Sequence, residues 1–256
     1  MPESSIFVQS LERGLGVIRA FDAKNPELTL SEVSRRTGLT RAAARRFLHT
    51  LVELGYMRTD GRLFALRPKI LELGYAYLSS LTFPEIAQPH LEEFVRRHDR
   101  SSSGAVLSGT DIVYVVRVPT QRIMRVSITL GTRFPAYATS MGRVLLAGLP
   151  PEQLDGVLDA TTFVPFTAHT VRSADELRTA LDATRERGYA VIRQELEDGV
   201  CSIAVPVRDR DGATIAAINC SVSAQEALSA TLESDVLPDL RAAAGAIESD
   251  LKLAGR

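Results

Sequence analysis

One segment, residues 29–66, constrains the fold of this chain more than any other, because it carries the signals of two short helices, a tight turn and a β-hairpin. Thr29 and Glu32 have the spacing of a capping box, which begins a helix. Gly38 permits a sharp turn, since glycine adopts positive φ at little cost. Thr40 is a suitable N-cap for the second helix. The segment therefore predicts a helix-turn-helix.

The second helix has two chemically different faces. Apolar residues recur at helical spacing on one side, whereas Arg41, Arg45 and His49 follow one another four residues apart on the other. Gly55 stands where a left-handed C-cap is expected. Residues 56–66 then read as two short strands around turn residues. A helix-turn-helix followed by a hairpin is the winged-helix plan.

The charge is concentrated in this part of the chain. Residues 1–68 carry 11 Lys and Arg against 7 Asp and Glu, while the whole chain has a formal net charge of −1. A basic module on an acidic remainder is typical of nucleic-acid binding, with the second helix of the turn in the major groove. We predict base contacts from Thr40, Arg41, Ala42 and Arg45. We predict phosphate contacts from Arg35, Arg36, Arg46, Arg58 and Arg62.

Two other interpretations of these arginines are open at this point. They could form a solvated helix face with no partner, or the winged helix could dock on another protein. DNA is the favoured partner because the arginines, the turn and the wing all agree with it.

The totals describe an ordinary globular chain. It has 256 residues, of which 45% are hydrophobic and 24% charged, enough for one large domain or two modest ones. Cys201 and Cys220 lack CxxC spacing, and the histidines are scattered, so we expect no metal site, no disulfide and no cofactor. The sequence has neither a secretory signal nor an apolar run of the ~18 residues that span a membrane. We expect a cytoplasmic protein.

The remaining pattern predicts an α+β fold. Residues 68–84 read as a linker helix, and its apolar stripe from 70 to 81 favours packing on a second copy in a dimer, with packing on its own chain as the alternative. Helices are predicted at 11–22, 86–98, 151–158, 174–187 and 224–253, with another beginning near Ser140, and the last of them is expected to be interrupted or kinked near Pro238. Strands are predicted at 103–107, 112–118, 124–130, 189–193, 201–208 and 213–221. The predicted domains are 1–67, the linker 68–84, and 85–256.

Several segments resemble the IclR family of bacterial transcriptional regulators, in family order. They are VQSLERGLGVIRAFD, LTLSEVSRRTGLTRAAARRFLHTLVELGYM, GTRFPAYATSMGRVLLA and GYAVIRQELEDGVCSIAVPVRD. The wording of AYATSMGRVLLA looks closest to the β-ketoadipate-pathway branch, the protocatechuate and 4-hydroxybenzoate regulators. The resemblance implies an N-terminal winged helix-turn-helix, a C-terminal GAF-like α/β domain that binds a small acidic effector, and a homodimer or dimer of dimers on operator DNA.

The resemblance also implies where the effector binds: at the turn into the helix at Ser140, in the stretch 188–204, and on the last strand. Residue chemistry agrees, because a helix N-terminus attracts a carboxylate and aromatic side chains can form an apolar wall. Each residue could instead be ordinary core or surface. The predicted effector-binding residues are Ser140, Met141, Tyr137, Arg133, Glu195, Ser202, Asn219 and Ser221.

The chain departs from the common family pattern in two places. The family's usual cysteine is replaced by Ser202, with Cys201 one position earlier, and 192–195 lack the usual acidic run. Both departures argue against a two- or three-carbon keto acid. We expect a ligand-responsive DNA-binding regulator of aromatic-acid catabolism, with protocatechuate as the example effector, and not an enzyme. The alternatives are a regulator that responds to another small organic acid, or a ligand-binding module that does not bind DNA.

Overall fold

The computed structural model of this chain describes residues 7–73, 82–120, 128–229 and 232–254. The chain divides into two compact units, Met1–Ser79 and Ser80–Arg256. Within the described ranges, no helix is both long and apolar enough to cross a membrane.

The N-terminal unit is a winged helix-turn-helix. Its elements are α1 (Gln9–Arg19), β1 (Glu27–Thr29), α2 (Leu30–Thr37), α3 (Arg41–Glu53), β2 (Met57–Thr59) and β3 (Leu63–Leu66). The hairpin β2–β3 gains a third antiparallel strand, because β1 pairs with β3 through Leu28 and Phe64. The sequence did not predict β1, since three residues are too few to show an alternating pattern. Val17, Val33 and Leu48 are fully buried where the three helices meet.

Local signals set the ends of these helices as predicted. The Thr29 hydroxyl accepts from the Glu32 amide while the Glu32 carboxylate accepts from the Thr29 amide at 2.8 Å, so the capping box is confirmed. Gly38 ends α2 with φ at 68°. Thr40 caps α3 by accepting from the Ala43 amide at 3.2 Å. Gly55 follows α3 with φ at 80°, as a left-handed C-cap requires.

Most of the predicted linker helix lies outside the described residues. A 3₁₀ turn, Pro68–Ile70, follows the wing, and the chain is helical from 71 to 73. The next helix, α4 (Thr82–His98), begins four residues before its predicted start. Pro84 lies in the first turn of α4, where the missing N–H group costs little because such groups lack an intrahelical partner.

The C-terminal unit is built on a six-stranded antiparallel sheet. Its strands, in chain order, are β4 (Ser102–Ser108), β5 (Asp111–Val118), β6 (Arg133–Pro135), β7 (Ala190–Arg193), β8 (Val200–Arg208) and β9 (Thr214–Ser223). Their spatial order is β6-β5-β4-β9-β8-β7. Its helices after α4 are α5 (Ser140–Ala147), α6 (Pro151–Asp159), α7 (Ala174–Arg187), α8 (Ala224–Ser229), α9 (Leu232–Asp235) and α10 (Leu237–Leu253).

Helices cover both faces of this sheet. Helices α4 and α10 pack together on one face, where Phe83 of α4 lies over Gly104 of β4. Helix α5 lies on the opposite face, across β8 and β9, and α7 packs against α5. A sheet between two helical layers buries apolar side chains on both faces. It also leaves room for a cavity between α5 and the sheet.

Two predicted elements of this unit differ from the structure. The predicted strand 124–130 lies mostly outside the described residues, and its described part, 128–130, is a loop. The C-terminal helix, predicted over 224–253 with an interruption or kink near Pro238, is divided into α8, α9 and α10, and Pro238 lies in the first turn of α10. Proline fits a first turn and breaks a helix interior, which explains why α10 starts at this point.

Candidate DNA interface and ligand cavity

The exposed face of α3 carries the residues predicted to read bases. Arg41, Ala42 and Arg45 are exposed, whereas Ala44 and Leu48 on the opposite face are buried in the core of the N-terminal unit. Residues at the N-terminal end of such a helix are the ones that reach base edges in known winged helices. The structure thus places three polar or small side chains together on the first turns of α3, open to a partner.

The predicted phosphate-binding arginines fall into two groups. Arg35, Arg46 and Arg62 are exposed and have no acidic partner among the described residues. Arg36 instead donates from Nη1 to the Ala20 carbonyl at 2.8 Å and pairs with Asp22 at 3.4 Å. Arg58 pairs with Glu27 of β1 at 2.7 Å. Arg36 and Arg58 therefore have intramolecular partners that a phosphate would have to replace or share.

The wing turn is held in shape by its own carboxylate. The Asp60 Oδ1 atom accepts from the backbone N–H groups of Leu63 at 2.7 Å and of Arg62 at 2.8 Å. These bonds favour the charged carboxylate and lower the pKa of Asp60. The turn therefore presents the Arg62 side chain on an ordered loop, although the charge of Asp60 lies close to it.

A cavity of about 330 Å³ lies between α5 and the sheet of the C-terminal unit. It is mostly apolar, as ligand sites are. Five of the eight predicted effector-binding residues line it: Ser140, Met141, Ser202, Asn219 and Ser221. The other lining residues are Tyr114, Ile128, Phe134, Pro135, Ala138, Thr139, Phe166, Ile192, Leu196, Glu197 and Val200.

Strand register explains how residues so far apart in the chain meet in the cavity. Ser202 of β8 lies directly opposite Ser221 of β9 and Ile192 of β7, so all three side chains point to one face of the sheet. The Ser202 hydroxyl lies 2.8 Å from the Ser140 hydroxyl at the start of α5. This contact joins the helix to the sheet across the cavity wall.

A second polar contact extends the same wall. Asn219 Nδ2 donates to the Ser221 hydroxyl at 3.2 Å, and Asn219 Oδ1 accepts from the Ser103 amide at 3.1 Å. The Gly142 amide at the start of α5 already donates to the Thr139 hydroxyl at 3.0 Å. The N–H groups of Ser140 and Met141 before it add further donors, since the first turn of a helix leaves such groups without intrahelical partners. The wall can therefore bind carboxylate, hydroxyl or carbonyl oxygens of a ligand.

Three predicted effector-binding residues do not line the cavity. The buried Tyr137 hydroxyl donates to the Val164 carbonyl at 2.9 Å and accepts from the Val164 amide at 2.7 Å. Arg133 is half-exposed and donates to the Ser108 carbonyl at 2.9 Å and to Asp111 at 3.2 Å. These bonds hold both side chains away from the cavity.

Glu195, the third, forms a buried ion pair with Arg143 of α5, with Nη2 and Oε2 2.5 Å apart. Burial raises the pKa of Glu195 even though the nearby guanidinium acts to lower it, and burial likewise lowers the pKa of Arg143. The pair ties α5 to the loop between β7 and β8. Both of these segments supply lining residues, so the pair supports the cavity from behind.

The β7–β8 loop lies within the predicted stretch 188–204 and contributes two lining residues that were not singled out individually, Leu196 and Glu197. Two threonines hold this loop: Thr167 Oγ1 donates to the Gln194 carbonyl at 2.7 Å, and Thr170 Oγ1 donates to the Glu195 carbonyl at 2.6 Å. A local sequence pattern cannot predict contacts between segments about 25 residues apart. Tyr114 and Phe166 were missed for the same reason.

The described residues hold no cluster of three or more His, Cys, Asp or Glu side chains that could bind a metal. Cys220 is buried in an apolar surrounding, which raises the pKa of its thiol to about 12.

Two family models match this chain. The model described as the IclR helix-turn-helix domain matches residues 10–61, and the one described as the bacterial transcriptional regulator IclR C-terminal matches residues 75–249. Among characterised relatives, the chain is 42% identical to a "Pca regulon regulatory protein" of Pseudomonas putida, over 93% of this chain and 82% of the relative. It is 36% identical to a "p-hydroxybenzoate hydroxylase transcriptional activator" of Acinetobacter baylyi, over 92% and 89%.

Solved structures agree over nearly the whole chain. An IclR homologue from Microbacterium hydrocarbonoxydans, solved in complex with 4-hydroxybenzoate, superposes with a TM-score of 0.84 at 28% identity, over 95% of this chain and 99% of that one. A chain from Rhodococcus sp. RHA1 superposes with a TM-score of 0.88 at 54% identity, over 97% and 100%.

Proposed function

Because this chain belongs to the IclR family of bacterial transcriptional regulators, we propose that it regulates genes of aromatic-acid catabolism in response to a hydroxylated aromatic acid. The family consists of transcriptional regulators rather than enzymes, so the ligand is a signal and is not turned over. The N-terminal unit binds operator DNA and the cavity of the C-terminal unit binds the effector. The protein acts in the cytoplasm, where bacterial DNA lies.

The observation that carries this proposal is the match between the cavity and an aromatic acid. Aromatic and aliphatic side chains such as Tyr114, Phe134 and Met141 can cover the faces of a ring. Ser202 and Asn219 can hydrogen-bond oxygen substituents on that ring. Relatives named for the Pca regulon and for p-hydroxybenzoate hydroxylase, and a structural neighbour that holds 4-hydroxybenzoate, support the same ligand class.

Glu197 favours a ligand with a ring hydroxyl. It is an acidic side chain in the cavity lining, and a carboxylate accepts hydrogen bonds but repels another carboxylate. A phenolic hydroxyl is a donor that Glu197 can bind. Protocatechuate and 4-hydroxybenzoate each supply such a donor at the end of the ring opposite the carboxylate.

On DNA, we propose that Arg41 and Arg45 read bases while Arg35, Arg46 and Arg62 bind phosphates. All five guanidinium groups are exposed, and an arginine can bind guanine through two parallel hydrogen bonds. We further propose that the protein acts as a homodimer or a dimer of dimers, because paired winged helices bind two half-sites of an operator.

Regulation follows from differential binding. An effector that binds one arrangement of the protein more tightly shifts the population towards it, and the affinity for DNA changes by the same coupling free energy. Couplings of this kind are about 1–3 kcal/mol, which corresponds to a change in DNA affinity of roughly 5- to 150-fold.

Fluorescence anisotropy of DNA from immediately upstream of the gene tests the proposal, with scrambled DNA as the control and titrations with and without protocatechuate. We expect selective binding that changes with the acid. The Ser202→Leu variant places a larger apolar side chain in the polar wall and should bind DNA normally while losing the response. Selective DNA binding that does not change when aromatic acids are added would indicate a regulator that responds to another organic acid.

A further inference from the structure

The cavity lining contains a carboxylate but no cationic side chain among its described residues. An aromatic acid is an anion at neutral pH, and a buried charge is stabilised best by an opposite charge with hydrogen bonds. A cation on the cavity face of the sheet that has no carboxylate partner among the described residues therefore bears on how the ligand is bound.

That cation is Arg117 of β5. It is half-buried, it has no carboxylate partner among the described residues, and burial lowers the pKa of its guanidinium. Its Nη1 atom donates to the Ser103 hydroxyl at 3.2 Å, and the Ser103 amide donates to Asn219 Oδ1 at 3.1 Å. Two hydrogen bonds thus connect Arg117 to Asn219, which lines the cavity.

A β-bulge brings a second donor to the same face. Residues 114 and 117 are three apart, so in a regular strand their side chains would point to opposite faces. The register between β4 and β5 shifts at Gly104/Ala105, so that Arg117 lies opposite Ser103 and Tyr114 lies opposite Ala105. Because Ser103 and Ala105 share one face, Tyr114 and Arg117 share it too. Bulges commonly redirect side chains in this way beside functional sites.

The Tyr114 hydroxyl is available to a ligand. The residue is 95% buried and lines the cavity, its ring packs edge-on against Phe134, and no described residue hydrogen-bonds its hydroxyl. Burial raises the pKa of Tyr114 to about 12, so the phenol remains a neutral donor at physiological pH. Because Tyr114 lines the cavity, a ligand oxygen there can accept a hydrogen bond from its hydroxyl.

We propose that Arg117 and Tyr114 bind the carboxylate of the effector, with the guanidinium pairing with its oxygens and the phenol donating to one of them. The site is specific for a monocarboxylic aromatic acid, and it orients the ring so that its hydroxyl group points away from β5. This inference rests on the proposed function. It replaces Arg133, which the sequence singled out as the cation, with an arginine on the face that lines the cavity.

Calorimetric titration of the full-length protein tests the assignment with two probes that differ at one ring substituent, the anionic carboxylate of 4-hydroxybenzoate and the neutral amide of 4-hydroxybenzamide. In Arg117→Gln, affinity for the acid should fall about 10- to 100-fold, because a charge-assisted hydrogen bond is lost. Affinity for the neutral amide should change much less. Tyr114→Phe keeps the ring packing and should weaken binding of the acid by a smaller factor.

Arg133→Gln is the matched control, since it removes an arginine from the neighbouring strand that is bonded to Asp111 and Ser108. It should leave both affinities unchanged. The assignment would be overturned if Arg117→Gln lost equal affinity for the acid and the amide, or lost no affinity while keeping normal thermal stability. The carboxylate of the ligand would then be assigned to the N–H groups at the start of α5. Failure of the wild-type protein to bind 4-hydroxybenzoate or protocatechuate would instead contradict the proposed function, and this inference with it.

Discussion

The two units of this protein place their functional groups in opposite ways. In the N-terminal unit, the candidate DNA-binding arginines lie on an exposed surface, carry full charges and come mainly from α2 and α3. In the C-terminal unit, the candidate ligand-binding groups are buried or half-buried, mostly neutral, and come from segments as far apart as Tyr114 and Ser221. A polyanion is bound by exposed charge, whereas a small acid is bound by a closed, preorganised pocket.

Because of this difference, the residues that bind DNA in the N-terminal unit are distinct from those that stabilise its fold, whereas in the C-terminal unit the same contacts serve both ligand binding and stability. The arginines of α3 contribute little to folding, because the buried face of the helix holds it in place. The cavity wall, by contrast, depends on core contacts between α5, the sheet and the β7–β8 loop. Substitutions of the exposed arginines of α3 should therefore change DNA affinity and leave stability unaltered, whereas substitutions in the cavity wall should change both folding and ligand binding.

The largest effect is expected from Arg143→Met. This change leaves the buried Glu195 carboxylate without its partner, and breaking a buried ion pair from one side typically costs about 3–5 kcal/mol. Ligand binding should fall as well, since the pair ties α5 to the β7–β8 loop. Chemical denaturation monitored by circular dichroism measures the loss of stability.

The double variant Arg143→Met/Glu195→Leu is the control for that prediction. Replacing both charges with apolar side chains should recover most of the lost stability, because an apolar pair of similar volume is often no worse than a buried ion pair. If the double variant were as unstable as the single one, the loss would come from packing and not from the unpaired charge.

A smaller but still clear effect is expected from Gly142→Ala at the start of α5. The added Cβ atom would clash with the Ala136 carbonyl oxygen, so the backbone must move, at a typical cost of about 1–3 kcal/mol. The movement would also displace Ser140 and Met141 from the cavity wall. Thermal unfolding and calorimetric titration with 4-hydroxybenzoate measure the two effects.

Gly156→Ala in α6 is the matched control, because its added Cβ would meet nothing within 4 Å. Alanine is a better helix former than glycine, so this variant should be at least as stable as the wild-type protein. If both variants lost similar stability, α5 would tolerate an added methyl group as well as a surface helix does. The cavity wall would then not be tightly packed at Gly142.

The same contrast explains what the sequence could predict. The capping box at Thr29, the left-handed glycines and the two-faced pattern of α3 are local signals, and the helix-turn-helix follows from them. Ser173 and Gly188 likewise mark both ends of α7, as predicted. The alternation of apolar residues was enough to find most strands of the sheet.

The cavity could be predicted only in part. The resemblance to a family pointed to Ser140, Ser202 and Asn219, which do line it, whereas Tyr137, Arg133 and Glu195 have partners elsewhere. Which side chains meet depends on strand register and on the bulge in β4–β5, and a shift of one residue reverses the face of every side chain beyond it. Residue types alone do not specify that register.

In the N-terminal unit, Arg41→Ala and Arg45→Ala should each cost about 1–3 kcal/mol of binding free energy on the specific operator if the guanidinium reads a base. Thermal stability should hardly change, because both side chains are exposed. Fluorescence anisotropy on operator and scrambled DNA gives the ratio of specific to non-specific affinity. An unchanged ratio would show that the arginine contacts the phosphates of the DNA and not a base.

The smallest expected effect distinguishes two arginines that look alike in the sequence, Arg36 and Arg46. Arg46 is exposed and unpaired among the described residues, so Arg46→Ala should weaken binding to all DNA sequences and reduce the salt dependence of log affinity by about 0.9. Arg36 is bonded to the Ala20 carbonyl and to Asp22, so Arg36→Ala should reduce stability by about 0.5–1.5 kcal/mol with little change in that slope. Arg36→Ala could instead lower the slope as much as Arg46→Ala while stability stays constant. The guanidinium of Arg36 would then have to break its bonds to the Ala20 carbonyl and Asp22 when DNA binds. The DNA-binding surface of this unit would therefore be less preorganised than the cavity of the C-terminal unit.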